Sequence, residues 1–138
     1  MAKRTLHITK FDMDRLTEVI EGLRAVSKAD QTNLDLLERE LYRAVLVEPQ
    51  DIPRDTVTMN SRINVTDIAS GEKTTYTLVF PSAANIAAGK LSILAPLGIA
   101  LLGYHTGEII EWSFASGDRK LRIDEIIYQP EAAGDCHL

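Results

Sequence analysis

Apolar positions recur every three or four residues from Asp12 to Arg43 and every second residue over several stretches after Thr56. That change of period divides the chain into a helical first part and a strand-rich second part. In the first part Leu16, Val19, Ile20 and Leu23 fall at i, i+3, i+4 and i+7, one face of a helix for which Asp12 is the expected N-cap. Leu34, Leu37, Leu41 and Ala44 alternate spacings of three and four, the seam of an antiparallel partner. The polar run Ser27 to Gln31 turns the chain between them, so the two segments form a helical hairpin. Arms of about 15 residues make a rod of about 22 Å.

Pro49 and Pro53, with Asp51 and Asp55 around them, cannot continue a helix and read as a linker. After it, Arg62 to Ile68 turns Ile63 and Val65 inward. Gly71 marks a turn, and Thr74 to Phe80 alternates Tyr76, Leu78 and Phe80. Glu108 to Phe114 alternates Ile110, Trp112 and Phe114. A polar turn at Ser116 to Asp118 leads into a strand over Leu121 to Tyr128. Two antiparallel hairpins result. Between them lie a short strand at Leu91 to Leu94 and a short helix at Pro96 to Leu102, with proline in its first turn and Gly103 at its end. The fold class is α+β: a short N-terminal helical hairpin over residues 1–50, projecting from an antiparallel β-sheet domain over residues 51–138 with one short helix. Gln129 to Leu138 is a tail.

The composition supports this and narrows the function. With 138 residues, 45% of them apolar, the chain is long enough for a core that needs no staples. Its formal net charge of -5 has the wrong sign for general attraction to phosphates, and Arg119, Lys120 and Arg122 form the only tight basic group, so sequence-specific DNA binding is not expected. One cysteine, Cys136, permits neither an internal disulfide nor a cysteine-built zinc site, which fits a reducing cytoplasm. Met1 to Lys10 lacks the apolar run of a secretory signal. Leu91 to Tyr104 is too short for a bilayer, which takes about 20 residues. A cytoplasmic protein without membrane contact is expected.

Candidate chemistry is sparse. His7, His105 and His137 lack metal-ligand spacing. Gly89-Lys90 lacks the preceding glycine of a phosphate loop. Ser61, Ser92 and Cys136 have no nucleophile setting. Asp30, Asp35, Glu38 and Glu40 could offer carboxylates to magnesium, but they equally suit a solvated helix face. No cofactor, metal site or catalytic residue is expected, and the chain does not read as an enzyme.

The run Ala95-Pro96-Leu97-Gly98, with Ala100-Leu101-Leu102-Gly103 and Gly107-Glu108, is too densely apolar for an amphipathic surface helix. It resembles the Ser-Pro-x-Gly-x-Ala-Leu-Leu-Gly-x-x-x-Gly-Asp signature of the GreA/GreB transcription elongation factors. Asp55-Thr56-Val57-Thr58-Met59-Asn60-Ser61-Arg62 and Tyr128-Gln129-Pro130-Glu131-Ala132-Ala133-Gly134-Asp135 resemble the smaller Rnk group, so the likeness extends over essentially the whole chain. It implies a coiled-coil hairpin joined to an FKBP-like domain that docks on RNA polymerase at the rim of its secondary channel. The implied contact residues are Ser92, Ala95, Pro96, Leu97 and Gly98. Leu101 and Leu102 are expected in the core.

Cleavage factors of that family carry paired carboxylates at the hairpin tip to hold a catalytic magnesium. Here the tip holds Lys28, Asp30 and Gln31 with a single acid, so docking without transcript cleavage, in competition with Gre factors, is the expected activity. Two alternatives stand beside it: magnesium-dependent transcript cleavage, and regulation of nucleoside diphosphate kinase, which follows only from the name of the Rnk group. The FKBP-like fold also raises prolyl isomerisation, for which the few aromatic residues signal no pocket.

Overall fold

The computed structural model describes residues 6–26, 31–114 and 117–134. Chain order is β1 (His7–Thr9), α1 (Lys10–Val26), α2 (Gln31–Tyr42), β2 (Val45–Val47), β3 (Arg62–Asp67), β4 (Lys73–Val79), β5 (Lys90–Ser92), α3 (Pro96–Leu101), β6 (Ile109–Phe114), β7 (Gly117–Tyr128) and α4 (Pro130–Ala133). Short 3₁₀ turns occupy Pro49–Asp51, Pro81–Ala83 and Ile86–Ala88.

The expected α+β architecture is present: two N-terminal helices, then a curled sheet carrying a short helix. Strand order in the sheet is β5-β4-β3-β7-β6. The two expected hairpins are there, with Ile63 opposite Tyr76 and Ile110 opposite Leu121. They are joined through β3 and β7, whose register shifts twice, between Arg62 and Ile63 and between Asn64 and Val65. All pairs are antiparallel except β4 with β5. There the 80–89 connection crosses over and returns the chain in parallel. Gly117 and Asp118, expected in a turn, already belong to β7.

A small parallel pair precedes the sheet: β1 lies beside β2, with His7 opposite Val45 and Thr9 opposite Val47. The pair ties the entry of the helical hairpin to its exit. It also moves the helix start. Thr9, not Asp12, is the N-cap, because the Asp12 amide donates to Thr9 Oγ1 at 3.2 Å and α1 begins at Lys10. Asp12 is instead in the first turn, where a carboxylate suits the helix dipole.

The hairpin's inner face does not project into water. Leu16, Ile20, Leu34, Leu37 and Leu41 belong to the same buried apolar cluster as Val57, Ile63, Leu78, Leu101 and Ile123. A second joint lies at the surface, where the Arg15 guanidinium stands over the Phe11 ring at 4.1 Å and the Phe80 ring at 4.4 Å while donating to Asp12 Oδ1 at 2.7 Å. Phe80 follows β4, so this cation–π stack clips α1 to the sheet. Arg15→Ala is expected to lower unfolding free energy by about 2 kcal/mol, since it strands the buried Asp12 carboxylate. Urea unfolding of the variant measures it, and an unchanged midpoint would refute the joint.

Two carboxylates are set in opposite directions. Burial holds Asp12 above the ordinary aspartate value of 3.8 against the pull of the Arg15 hydrogen bond, and Glu131 adds repulsion. On β7, the hydroxyl of Thr66 and then Arg122 hold Asp124 below that value. For Asp12 the folded state takes up the proton more readily than the unfolded one, so acidification through its raised pKa favours folding. Asp124 contributes stability above its unfolded pKa and loses it as pH falls through the lowered one. Carboxyl NMR titration is expected to find the two midpoints on opposite sides of 3.8.

Candidate functional site

The loop from Ser92 to Gly98 is built by its own short-range bonds. Ile93 N–H donates to Val79 O at 2.9 Å, anchoring the end of β5 to β4. The Ser92 hydroxyl accepts from Leu94 N–H at 3.0 Å, and Ser92 O accepts from Ala95 N–H at 3.0 Å, closing a turn. Ala95 is extended, as a residue before proline must be, and Pro96 opens α3 without needing the amide it lacks. Ile99 N–H returns to Ala95 O at 3.0 Å. Gly98 is required by close approach, because a Cβ there would stand 2.2 Å from Ser92 O.

Of the five residues named for contact, the structure exposes Pro96 and half-buries Ser92 and Ala95. Leu97 is 8% exposed and Gly98 is buried. Here the expected apolar loop is corrected: the first turn of α3 packs inward, so Leu97 fills the core and Gly98 seats the loop, and neither presents a surface. Leu94, which the sequence did not single out, is half-buried beside them. Leu101 and Leu102 are in the core as expected.

The rest of the signature is structural. Gly103 has φ +86 and leaves no room for a side chain, since Leu6 Cδ1 lies 2.7 Å from where its Cβ would stand. Glu108 Oε1 accepts from the His105 amide at 2.7 Å and closes the turn before β6. Asp55–Arg62 and the described residues 128–134, distant in sequence, meet in space. Thr58 Oγ1 donates to Glu131 Oε1 at 2.7 Å, and the Gln129 amide donates to Pro53 O at 2.9 Å and Thr56 O at 2.7 Å. His105 Nδ1 lies 3.0 Å from Thr56 Oγ1 and 3.2 Å from Asp55 Oδ1. Both partners share one ring nitrogen, so this is not a nucleophile–base–acid relay.

At the hairpin end, Lys28 and Asp30 lie outside the described residues. Gln31 starts α2 and accepts from Arg24 Nη1 at 3.0 Å. Arg24 also binds Asp35 Oδ1 at 2.7 Å and Glu38 Oε1 at 3.1 Å, and these bonds, Asp35 foremost, raise its pKa. Two of the acids considered for magnesium are thus held by a guanidinium. Among the described residues no group of three or more His, Cys, Asp or Glu is placed to hold a metal ion. No helix among them is long and apolar enough to cross a membrane.

A helical hairpin fused to a curled sheet that carries a Pro-x-Gly loop is the architecture of a class of transcription factors. The description "Transcription elongation factor, GreA/GreB, C-term" matches residues 52–128, and "Rnk N-terminus" matches residues 4–47. The chain belongs to the GreA/GreB transcription elongation factor family, in its Rnk branch. It is 38% identical over 139 residues to the regulator of nucleoside diphosphate kinase of Escherichia coli K12, covering 100% of both chains. It is 37% identical over 81 residues to the transcription elongation factor GreA of Syntrophobacter fumaroxidans, covering 59% of this chain and 52% of that one. A solved structure of a prokaryotic transcription elongation factor GreA/GreB from Nitrosomonas europaea superposes with a TM-score of 0.76 at 38% identity, covering 90% of this chain and 100% of the other.

Proposed function

We propose that this chain is a cytoplasmic regulator that binds RNA polymerase through the Ser92–Pro96 loop. It docks at the rim of the secondary channel, modulates elongation by competing with Gre factors, and does not stimulate transcript cleavage. The observation that carries the reading is the loop itself. Four hydrogen bonds and the close approach of Gly98 to Ser92 O hold it in place, so little entropy is lost on docking. Residues 51–138 serve as the docking unit and residues 1–50 as the hairpin that enters the channel mouth. Arms of 17 and 12 residues reach only about 25 and 18 Å, short for a deep active centre. Asp35 and Glu38 are engaged by Arg24 rather than free for a metal.

Immobilised protein is expected to retain core polymerase at concentrations on the order of micromolar. Pro96→Asp, at an exposed position, is expected to weaken retention at least about tenfold while the fold is kept. Absent retention, or retention indifferent to Pro96→Asp, refutes docking. Shortened transcripts from stalled polymerase on addition of the protein would refute the non-cleaving part. The name of the full-length relative favours one second reading, an effect on nucleoside diphosphate kinase. Capture of that kinase by protein carrying Pro96→Asp would support it.

A further inference from the structure

From Phe80 to Tyr104 the sequence carries one charged side chain, Lys90. Residues 82–88 within that stretch are all exposed, and Ile86 near their centre is 68% exposed. Their backbone is nevertheless fixed. Asn85 and Lys90 exchange two hydrogen bonds of 2.9 Å, Ala84 N–H donates to Pro81 O at 3.2 Å, and Gly89 N–H donates to Ile86 O at 3.0 Å. Gly89 has φ +75, and a Cβ there would stand 2.9 Å from Thr75 O, so glycine is what lets the turn close against β4. The result is a hydrogen-bonded apolar knob on the outer edge of β5, with Ile86 presented to water.

We infer that the docking surface of the Ser92–Pro96 loop continues along β5 to this knob, so that one apolar helical surface of the polymerase covers Pro96 and Ile86 together and offers a carboxylate to Lys90. The inference rests on the docking reading above and supplies contact area which that reading lacks. Pro96 is exposed and Ser92 and Ala95 are half-buried, whereas a stable interface takes about 800 Å² from each partner. Continuity says where more of that area lies. Leu91 is buried, so Lys90 and Ser92, its neighbours on β5, stand together on the opposite face of the strand. From Lys90 to Ser92 the strand advances about 7 Å, less than the width of a helix, about 10–12 Å. A helix seated against the loop therefore overlies Lys90 and reaches the knob bonded to it. Charge decides against other occupants. Lys90 has no ion pair among the described residues and is free to take a carboxylate. Nucleic-acid phosphates would find this one cation on a chain of net charge -5. A second copy, meeting this edge about a two-fold axis, would set Lys90 near Lys90 with no acid in residues 80–104 to answer it.

The test titrates core polymerase onto the immobilised intact chain. Ile86→Asp and Lys90→Glu, both at exposed positions, are each expected to weaken retention about tenfold, while Ile86→Leu and Lys90→Arg keep it. Ile109→Asp places the same new charge on β6, at the opposite edge of the sheet, where the isoleucine is also exposed, and is expected to change nothing. Urea midpoints equal to the parent's are expected for Ile86→Asp and Lys90→Glu, so that a loss of retention reports contact rather than unfolding. If Pro96→Asp weakens retention while Ile86→Asp or Lys90→Glu does not, the continuation along β5 is overturned and docking through the loop stands. If the parent is not retained at all, both fall. An equal loss with Ile109→Asp overturns the inference, because the effect is then one of charge anywhere on the sheet. So does a parent dimer in sedimentation that Ile86→Asp abolishes, which would assign the knob to a second copy.

Discussion

Alanine at Gly98 is expected to cost about 3 kcal/mol of unfolding free energy, whereas alanine at Gly22 is expected to add about 1 kcal/mol. Both glycines are helical, and only their surroundings differ. At Gly98 the new Cβ would lie 2.2 Å from Ser92 O and 3.2 Å from Ile93 Cα, both backbone atoms that cannot turn aside. The loop or the first turn of α3 must shift, and that strain exceeds the helical preference gained by alanine. At Gly22 nothing lies within 4 Å, so only the gain remains. Denaturant midpoints of the two variants test the pair. A neutral Gly98→Ala would mean that the loop is not held against the helix. Since the shift moves Pro96, polymerase retention by Gly98→Ala is expected to fall even where the variant is fully folded.

Leu37→Ala is expected to cost about 4 kcal/mol, because a fully buried leucine on α2 loses its contacts and leaves a cavity. The informative part is how the loss is distributed. Leu37 belongs to the apolar cluster that also holds Ile63, Leu101 and Ile123 of the sheet part. The helical signal and the fluorescence of the single tryptophan, Trp112 on β6, are therefore expected to report one coincident transition, in the variant as in the parent. A helical transition that precedes the tryptophan transition would show that the hairpin unfolds alone.

Much of the fold was legible because burial imposes periods on a sequence. Leu34, Leu37 and Leu41 announced the inner face of α2, and Ile63 and Val65 that of β3, and all five are buried. What stayed illegible was pairing at a distance. The β1–β2 pair is three residues long on each side, too short to show a period, and joins segments 38 positions apart in register, from His7 to Val45. Without it, Asp12 looked like the helix cap. The candidate loop was legible as a motif, yet its residues could not be sorted into exposed and buried, because the direction α3 faces depends on what packs against it.

The sequence by itself determined the helical hairpin, the two β-hairpins, the short proline-started helix and the family, since local period, turn residues and motif order are all written along the chain. Only the tertiary structure decided that Leu97 and Gly98 face inward while Pro96 stays in water, and that the hairpin's leucines share a core with the sheet. It also decided that Thr58 and Glu131, 73 positions apart, close on one hydrogen bond. Side-chain exposure belongs to contacts between elements, and those contacts exist only once the sheet has curled and the hairpin has packed against it.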